Sequence, residues 1–314
     1  MIKEDLIERA GYMAMRQAAL HIPDDIFDAV KDAHQNESSA DTRRVYDAFF
    51  EFAERRTRAG EVVCPDTGTI YYYISIGNVE IDRSIDFWRA LARATVSLSR
   101  EGILGQKSGD VVHHTNNNIN VGENSPSIHY KLVPEIDYIE ITALAKGGGG
   151  EMPGSKFRML VPADGLHGIK KFFIDSAVSA AKGGLACPPT IFGLGVGGGI
   201  AIAASIAHEA AVLRPVGSRH PDKDIAAMED ELLEYINYIG VGPAGLGGHR
   251  TASDVHIEYS NGHMGVVATA LVAQCLMAHR ATVKLFADGR MELATAPEGW
   301  FTRPWRKSMS EVTK

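Results

Sequence analysis

The sequence predicts an α/β fold: a helical N-terminal part followed by a mixed α/β unit with a central sheet. Three observations point there. Residues up to Gly60 follow a helical rhythm of apolar positions with acidic starts and basic ends. From Cys64 onward, β-branched and aromatic runs alternate with further helical segments. No repeat and no low-complexity linker interrupts the chain, so its 314 residues read as one domain, with a helical part at 1–60, an α/β part at 61–300 and a polar tail at 301–314.

Each element has its reason. Glu4 to Leu20 is amphipathic. Pro23 opens the next helix, PDDIFDAVKDAHQ, whose first turn is acidic and suits the positive end of the helix dipole. Ser39, Ala40 and Asp41 offer caps for TRRVYDAFFEFAERRTRAG, and Gly60 ends it. TIYYYISIG is a strand by composition, and SIDFWRALARATVSLSREG a helix. The polar segment HHTNNNINVGENSPS is a loop, long enough to carry function. SIHYKLV and YIEITALA are strands, followed by the glycine-rich KGGGGEMPGSKFRMLVP. DGLHGIKKFFIDSAVSAAKGG is a helix leading into a short apolar run, glycines and an alanine-rich helix (LACPPTIFGLGVGGGIAIAASIAHEA). DKDIAAMEDELLEYINYIG is a helix stopping at Gly240, and the rest reads as loops, strands and one cysteine-bearing segment.

Composition excludes several roles. A net charge of −7 with interspersed signs disfavours nucleic acid or an anionic membrane as the main partner. The charged N-terminus is no signal peptide, and no apolar run is long enough to span a bilayer, so a cytoplasmic protein is expected. The three cysteines, Cys64, Cys187 and Cys275, are too few and too dispersed for a disulfide framework. Each lies beside a turn or a polar segment, in CPDTG, ACPPT and QCLMAHR. Three thiolates from remote loops suit an iron–sulfur cluster with one open iron, although buried inert thiols have the same spacing. Two glycine clusters are ambiguous as well. GLGVGGG at 193–199 is either a nucleotide-binding turn or a close strand-to-helix packing turn. KGGGG at 146–150 is either a hinge or a set of open amides for an anion.

The segments CPDTG (64–68), NNINVGENSPSIH (117–129), KGGGG (146–150), CPPTIFGLGVGGG (187–199), LRPVGSRHP (213–221), VGPAGLGG (241–248) and QCLMAHR (274–280) come in an order that resembles one family. It is the alpha subunit of two-subunit class I fumarases and L(+)-tartrate dehydratases, the iron–sulfur hydro-lyases. The resemblance implies a class I fumarase N-terminal-domain-like fold and a [4Fe–4S] cluster ligated by Cys64, Cys187 and Cys275. It implies Asp66 and His263 as catalytic residues, with Asp66, Lys146, Gly147, Gly148 and Gly149 facing the substrate. It further implies a beta subunit that supplies the base and cationic contacts, in a hetero-oligomer such as α2β2. The reaction would be reversible dehydration of a 2-hydroxy (di)carboxylic acid.

Two departures qualify the substrate. The family has glutamine after the first cysteine, where this chain has Pro65, which lacks a side-chain donor and an N–H. The family's substrate arginine ahead of the asparagine loop is missing from VVHHTNN, where His113 or His114 would stand in as a weaker, pH-dependent anion partner. These departures leave room for a non-catalytic paralogue that keeps the cluster as scaffold or regulator. A nicotinamide oxidoreductase built on GLGVGGG is the remaining rival.

Overall fold

The computed structural model describes residues 1–152, 154–184 and 187–302. The expected polar tail lies, from residue 303 on, outside the described residues. Packing divides the chain into two compact units. One comprises residues 1–21, 60–145 and 279 onward, the other residues 22–59 and 146–278. The helical first sixty residues are thus shared between the two.

The first unit holds α1 (Glu4–Leu20), β1 (Thr69–Ile76), α2 (Phe87–Arg100), β2 (Ser127–Leu132), β3 (Tyr138–Lys146), β4 (Arg280–Phe286) and β5 (Met291–Ala294). Its five strands lie in the order β2-β1-β3-β4-β5. β1 and β2 are parallel, and β3, β4 and β5 pair antiparallel. The apolar stripe of α1 (Ile7, Ala10, Ala14, Met15) meets Leu91 and Leu98 of α2 and the strand residues Ile70, Ile74, Ile141 and Val283 in one buried cluster. Full burial of each large aliphatic side chain there contributes about 1.5–3 kcal/mol. Asp86 caps α2 by accepting from the Arg89 amide.

The second unit holds α3 (Asp24–Gln35), α4 (Ala40–Ala59), a single helical turn α5 (Gly148–Glu151), β6 (Lys156–Leu160), α6 (Gly165–Gly183), β7 (Thr190–Gly197), α7 (Ile200–Leu213), α8 (Lys223–Tyr238), β8 (Ala252–Ser260) and β9 (Val267–Gln274). Its sheet order is β6-β9-β7-β8, with β7 parallel to β8 and antiparallel to β9. Alternation along β7 assigns its two faces. Phe192 and Leu194 join Phe173 and Ala177 of α6 and Leu232 and Ile236 of α8 in one core. Gly193 and Gly195 face α7, where added β-carbons would stand 2.1 Å from the Ala207 carbonyl oxygen and 1.9 Å from that of Ala203. The GLGVGGG glycines therefore let an alanine-rich helix lie directly on a strand, which is the packing reading of that motif.

The α/β class is as predicted, with mixed sheets. KFRML, folded into the glycine-rich loop by the sequence reading, is the edge strand β6. No helix among the described residues is long and apolar enough to cross a membrane.

Candidate functional site

In the second unit, antiparallel pairing puts the start of β7 beside the end of β9, with Ile191 opposite Gln274. Cys187 precedes the one and Cys275 follows the other, so the two meet at one end of the sheet. The Leu276 amide donates to the Cys187 carbonyl at 3.2 Å. The turn at Cys275 is closed twice: the Ala278 amide donates to the Cys275 carbonyl (3.1 Å), and Gln274 Nε2 to the Ala278 carbonyl (2.7 Å). Cys187, Ala278 and His279 all have left-handed backbones, with φ of +47°, +49° and +39°. For side chains with a β-carbon, that conformation costs on the order of 1 kcal/mol each and is characteristic of functional sites.

KGGGG joins the same end. Gly147 caps the single turn α5, so the amides of Gly148 and Gly149 head a helical turn with no intrahelical acceptor. An added β-carbon on Gly150 would stand 3.1 Å from the Ala273 carbonyl oxygen and 2.9 Å from Lys146 Nζ. Lys146 is 1% exposed, and its Nζ donates to the Ala273 carbonyl at 2.9 Å. Burial pulls its pKa down, against the opposing attraction of Glu151 and Cys275. The residues are those the sequence marked, but the ammonium is buried beside the cysteine strand.

His263 stands elsewhere in this unit. Its loop packs on the β7–α7 junction, where an added β-carbon on Gly262 would be 2.7 Å from the Gly198 amide. It precedes β9, whose eight residues separate it from Cys275. At about 3.3 Å per residue this is roughly 25 Å. Within one chain, His263 does not join Cys187 and Cys275. It is exposed, and its Nδ1 accepts from the Gly265 amide at 2.9 Å.

In the first unit, the CPDTG turn is braced on three sides. The Val63 amide donates to the Ala19 carbonyl at the end of α1 (3.1 Å). Thr67 Oγ1 donates to the Gly105 carbonyl (3.3 Å), and Ser108 Oγ to the Gly68 carbonyl (3.0 Å). Cys64 and Asp66 are half-buried, and burial pushes the Cys64 thiol up. The asparagine loop holds this brace. Asn120, fully buried, accepts from the amides of Lys107 (3.1 Å) and Ser108 (3.0 Å) and donates to Ser99 Oγ (2.9 Å). His113 and His114 are exposed on a turn nearby. His113 Nδ1 lies 2.6 Å from an Asp110 carboxylate oxygen, an acidic neighbour that weakens it as an anion site.

The sequence reading assigned no role to His279. It is 1% exposed, and its Nδ1 donates to the Ala18 carbonyl at 3.2 Å. Successive carbonyls at the end of α1, Ala18 and Ala19, therefore hold His279 and the approach to Cys64. Nε2 of this ring has no hydrogen-bond partner among the described residues, and Asp66 lies within electrostatic reach. Burial lowers the pKa of the ring, which favours the neutral form. Its only sequence signal was its place in QCLMAHR.

LRPVGSRHP has a structural role. Arg214 pairs with buried Glu229 at 2.5 Å, and Glu229 also accepts from the amides of Ile257 and His220. Arg219 pairs with buried Asp254 at 2.9 Å.

None of the three cysteines is in a disulfide. Among the described residues no three His, Cys, Asp or Glu side chains stand close enough to hold a single metal ion. Thiolates on a multi-iron cluster stand further apart than ligands of one ion, and soft sulfur donors suit such a cluster.

A protein of Methanocaldococcus jannaschii named "Putative L(+)-tartrate dehydratase subunit alpha" is 34% identical over 88% of this chain and 96% of its own length. The L(+)-tartrate dehydratase alpha subunits of Escherichia coli strains UTI89 and K12 are each 29% identical over 89% of this chain and 90% of theirs. The family model described as fumarate hydratase (Fumerase) matches residues 8–284, so the chain belongs to the fumarate hydratase (Fumerase) family.

Proposed function

We propose that this chain is the alpha component of a cytoplasmic hydro-lyase that reversibly dehydrates a 2-hydroxy (di)carboxylic acid, such as tartrate or malate. Cys64, Cys187 and Cys275 would hold a [4Fe–4S] cluster in it. The family and the relatives' names support the hydro-lyase class. The observation that supports the cofactor reading is the bond between the Cys187 carbonyl and the Leu276 amide, which joins the backbones of two sequence-remote cysteine-bearing turns, Cys187 itself being left-handed. Three cysteines outside any disulfide fit a reducing compartment.

When bound, such a cluster supplies a Lewis-acidic iron for the oxygens of the acid. The chain's own groups do the rest of the alpha share. The amides of Gly148 and Gly149 would receive a carboxylate, and Asp66, fixed in its braced turn, would orient the hydroxyl. His113 and His114 are the remaining anion partners in the asparagine loop. The base comes from a beta subunit, in keeping with relatives named as alpha subunits. His263, a sheet's length from the cysteine pair, would serve this reaction only from another chain.

The test is anaerobic reconstitution of the chain alone and with a beta-type partner. Iron and sulfide should bind to the alpha chain, and Cys64→Ser, Cys187→Ser and Cys275→Ser should each deplete them. Turnover of tartrate or malate should need the partner and be lost in air. Unchanged iron in all three variants would overturn the ligand set, and full turnover by the alpha chain alone would overturn the division of labour.

A further inference from the structure

We infer that Glu37, a buried acid remote in sequence from Cys187, is a positioning residue for that cysteine: it clamps the VGPAGLGG loop (241–248), and the loop holds the turn that presents the thiol. The consequence for a cluster rests on the reading proposed above.

The Cys187 turn is gripped by three separate segments. Pro188 and Pro189 have no N–H to donate, so they are held through their carbonyls. The Ala244 amide donates to the Pro188 carbonyl at 3.3 Å, and Ser253 Oγ to the Pro189 carbonyl at 3.2 Å. With the Leu276 amide on the Cys187 carbonyl, three consecutive carbonyls are engaged, while Cys187 itself is exposed. Ala244 makes its contact from a left-handed backbone, with φ of +52°. A residue with a β-carbon keeps that conformation only where its surroundings over-determine it. Here the loop is closed on itself. The Gly247 amide donates to the Val241 carbonyl at 2.8 Å, and an added β-carbon on Gly242 would stand 1.9 Å from the Gly247 carbonyl oxygen. The C-terminal end of the loop is fixed by the turn between α3 and α4. Glu37 is 1% exposed and accepts from two amides, one on each carboxylate oxygen: Ser39 at 2.9 Å and His249 at 2.8 Å. Thr42 Oγ1 adds a bond to the Gly247 carbonyl at 3.2 Å. Truncating Glu37 therefore leaves two amides without their acceptor and frees the loop from the turn.

The test is hydrogen exchange by mass spectrometry on the metal-free chain, followed by iron loss to a chelator after anaerobic reconstitution. Glu37→Ala should speed exchange in peptides spanning Ala244 and Leu276 about tenfold. Gly242→Ala opens the same loop against backbone atoms and should act alike. Glu37→Gln keeps one acceptor oxygen and should recover part of the protection. Leu232→Ala, in the core shared by α6 and α8, weakens the same unit without touching the loop and controls for stability alone. After reconstitution, Glu37→Ala and Gly242→Ala should release iron several-fold faster than Leu232→Ala. Exchange that is unchanged in Glu37→Ala, or raised no more than in Leu232→Ala, overturns the clamp. Faster exchange with iron retained as in wild type overturns the positioning of Cys187. Wild type that binds no iron overturns the cluster reading alone, and the exchange result still decides the clamp.

Discussion

Replacing Asn120 with alanine tests whether the asparagine loop exists to build the first cysteine turn. The side chain is fully buried and makes three hydrogen bonds: two accepted from consecutive amides and one donated to Ser99 Oγ. Truncation leaves the Lys107 and Ser108 amides without their acceptor, at about 1 kcal/mol or more each. The residue also sits at φ +56°, which asparagine tolerates and alanine does not, adding on the order of 1 kcal/mol. The sum is about 3 kcal/mol, a large share of the roughly 5–15 kcal/mol that holds a typical domain. Differential scanning calorimetry of the metal-free chain should show a melting temperature lower by on the order of 10 °C. Because Ser108 Oγ bonds the Gly68 carbonyl, the loosening reaches CPDTG, and iron uptake should fall as well. Asn120→Asp keeps the acceptor and the backbone preference, so it should lose about half as much. An alanine variant that melts within about 2 °C of the parent and takes up iron normally would refute the brace.

Further outcomes follow from the same networks. Gly195→Ala places a β-carbon against the α7 backbone, where no flexible side chain can yield, and should cost more than about 4 kcal/mol or abolish soluble expression. If that glycine instead served a nucleotide, the variant would fold normally and lose nicotinamide binding. Asp254→Asn breaks pairing with Arg219 and His256 in a buried site and should cost about 3 kcal/mol at pH 7 by urea unfolding. Burial pushes this carboxyl up, but His256, Arg219 and the Gly217 amide outweigh it and hold its pKa low. The parent's advantage is therefore present above about pH 4 and lost as pH falls through the lower folded value, so the two proteins should converge in acid. A gap that persists at pH 2 would contradict the linkage. His279→Leu removes the donor to Ala18 and should destabilise by about 1–3 kcal/mol, read as a lower urea midpoint.

What could be read in advance followed from local causes. The helix at Glu4–Leu20 and the strand at Thr69–Ile76 fall where pattern and composition put them, because each has one apolar face or a β-branched run that fits a single period. Lys156–Leu160 was hidden, since four of its five residues are exposed and an edge strand needs no alternating core face. GLGVGGG stayed ambiguous because a phosphate turn and a close-packed turn need the same missing side chains. Only the carbonyls of Ala203 and Ala207 beneath Gly195 and Gly193 separate the two. The site was legible as a list of residues and not as an arrangement. Asn120, Lys146 and His279 owe their surroundings to segments far away in sequence, and nothing local marks a lysine as buried or a histidine as held by a helix end.

The same arrangement bears on whether the chain is a working component or a bare scaffold. A fold kept for its shape alone gains nothing from strained backbone or buried charge, since both subtract from stability. Several of these costs fall at the cysteine-bearing turns. Cys187, Ala278 and His279 are left-handed, Lys146 is a buried ammonium, and His279 carries an unmatched ring nitrogen. Each belongs to a cysteine-bearing turn or to a segment bonded to one. The Arg214–Glu229 and Arg219–Asp254 pairs show the contrast: they are buried, but their partners are matched and they hold secondary structure together. Strained backbone and an unmatched ring nitrogen at the cysteine-bearing turns are what a site built to receive something further would show. That favours the hydro-lyase component over the scaffold, even with Pro65 in the first turn and no arginine ahead of the asparagine loop.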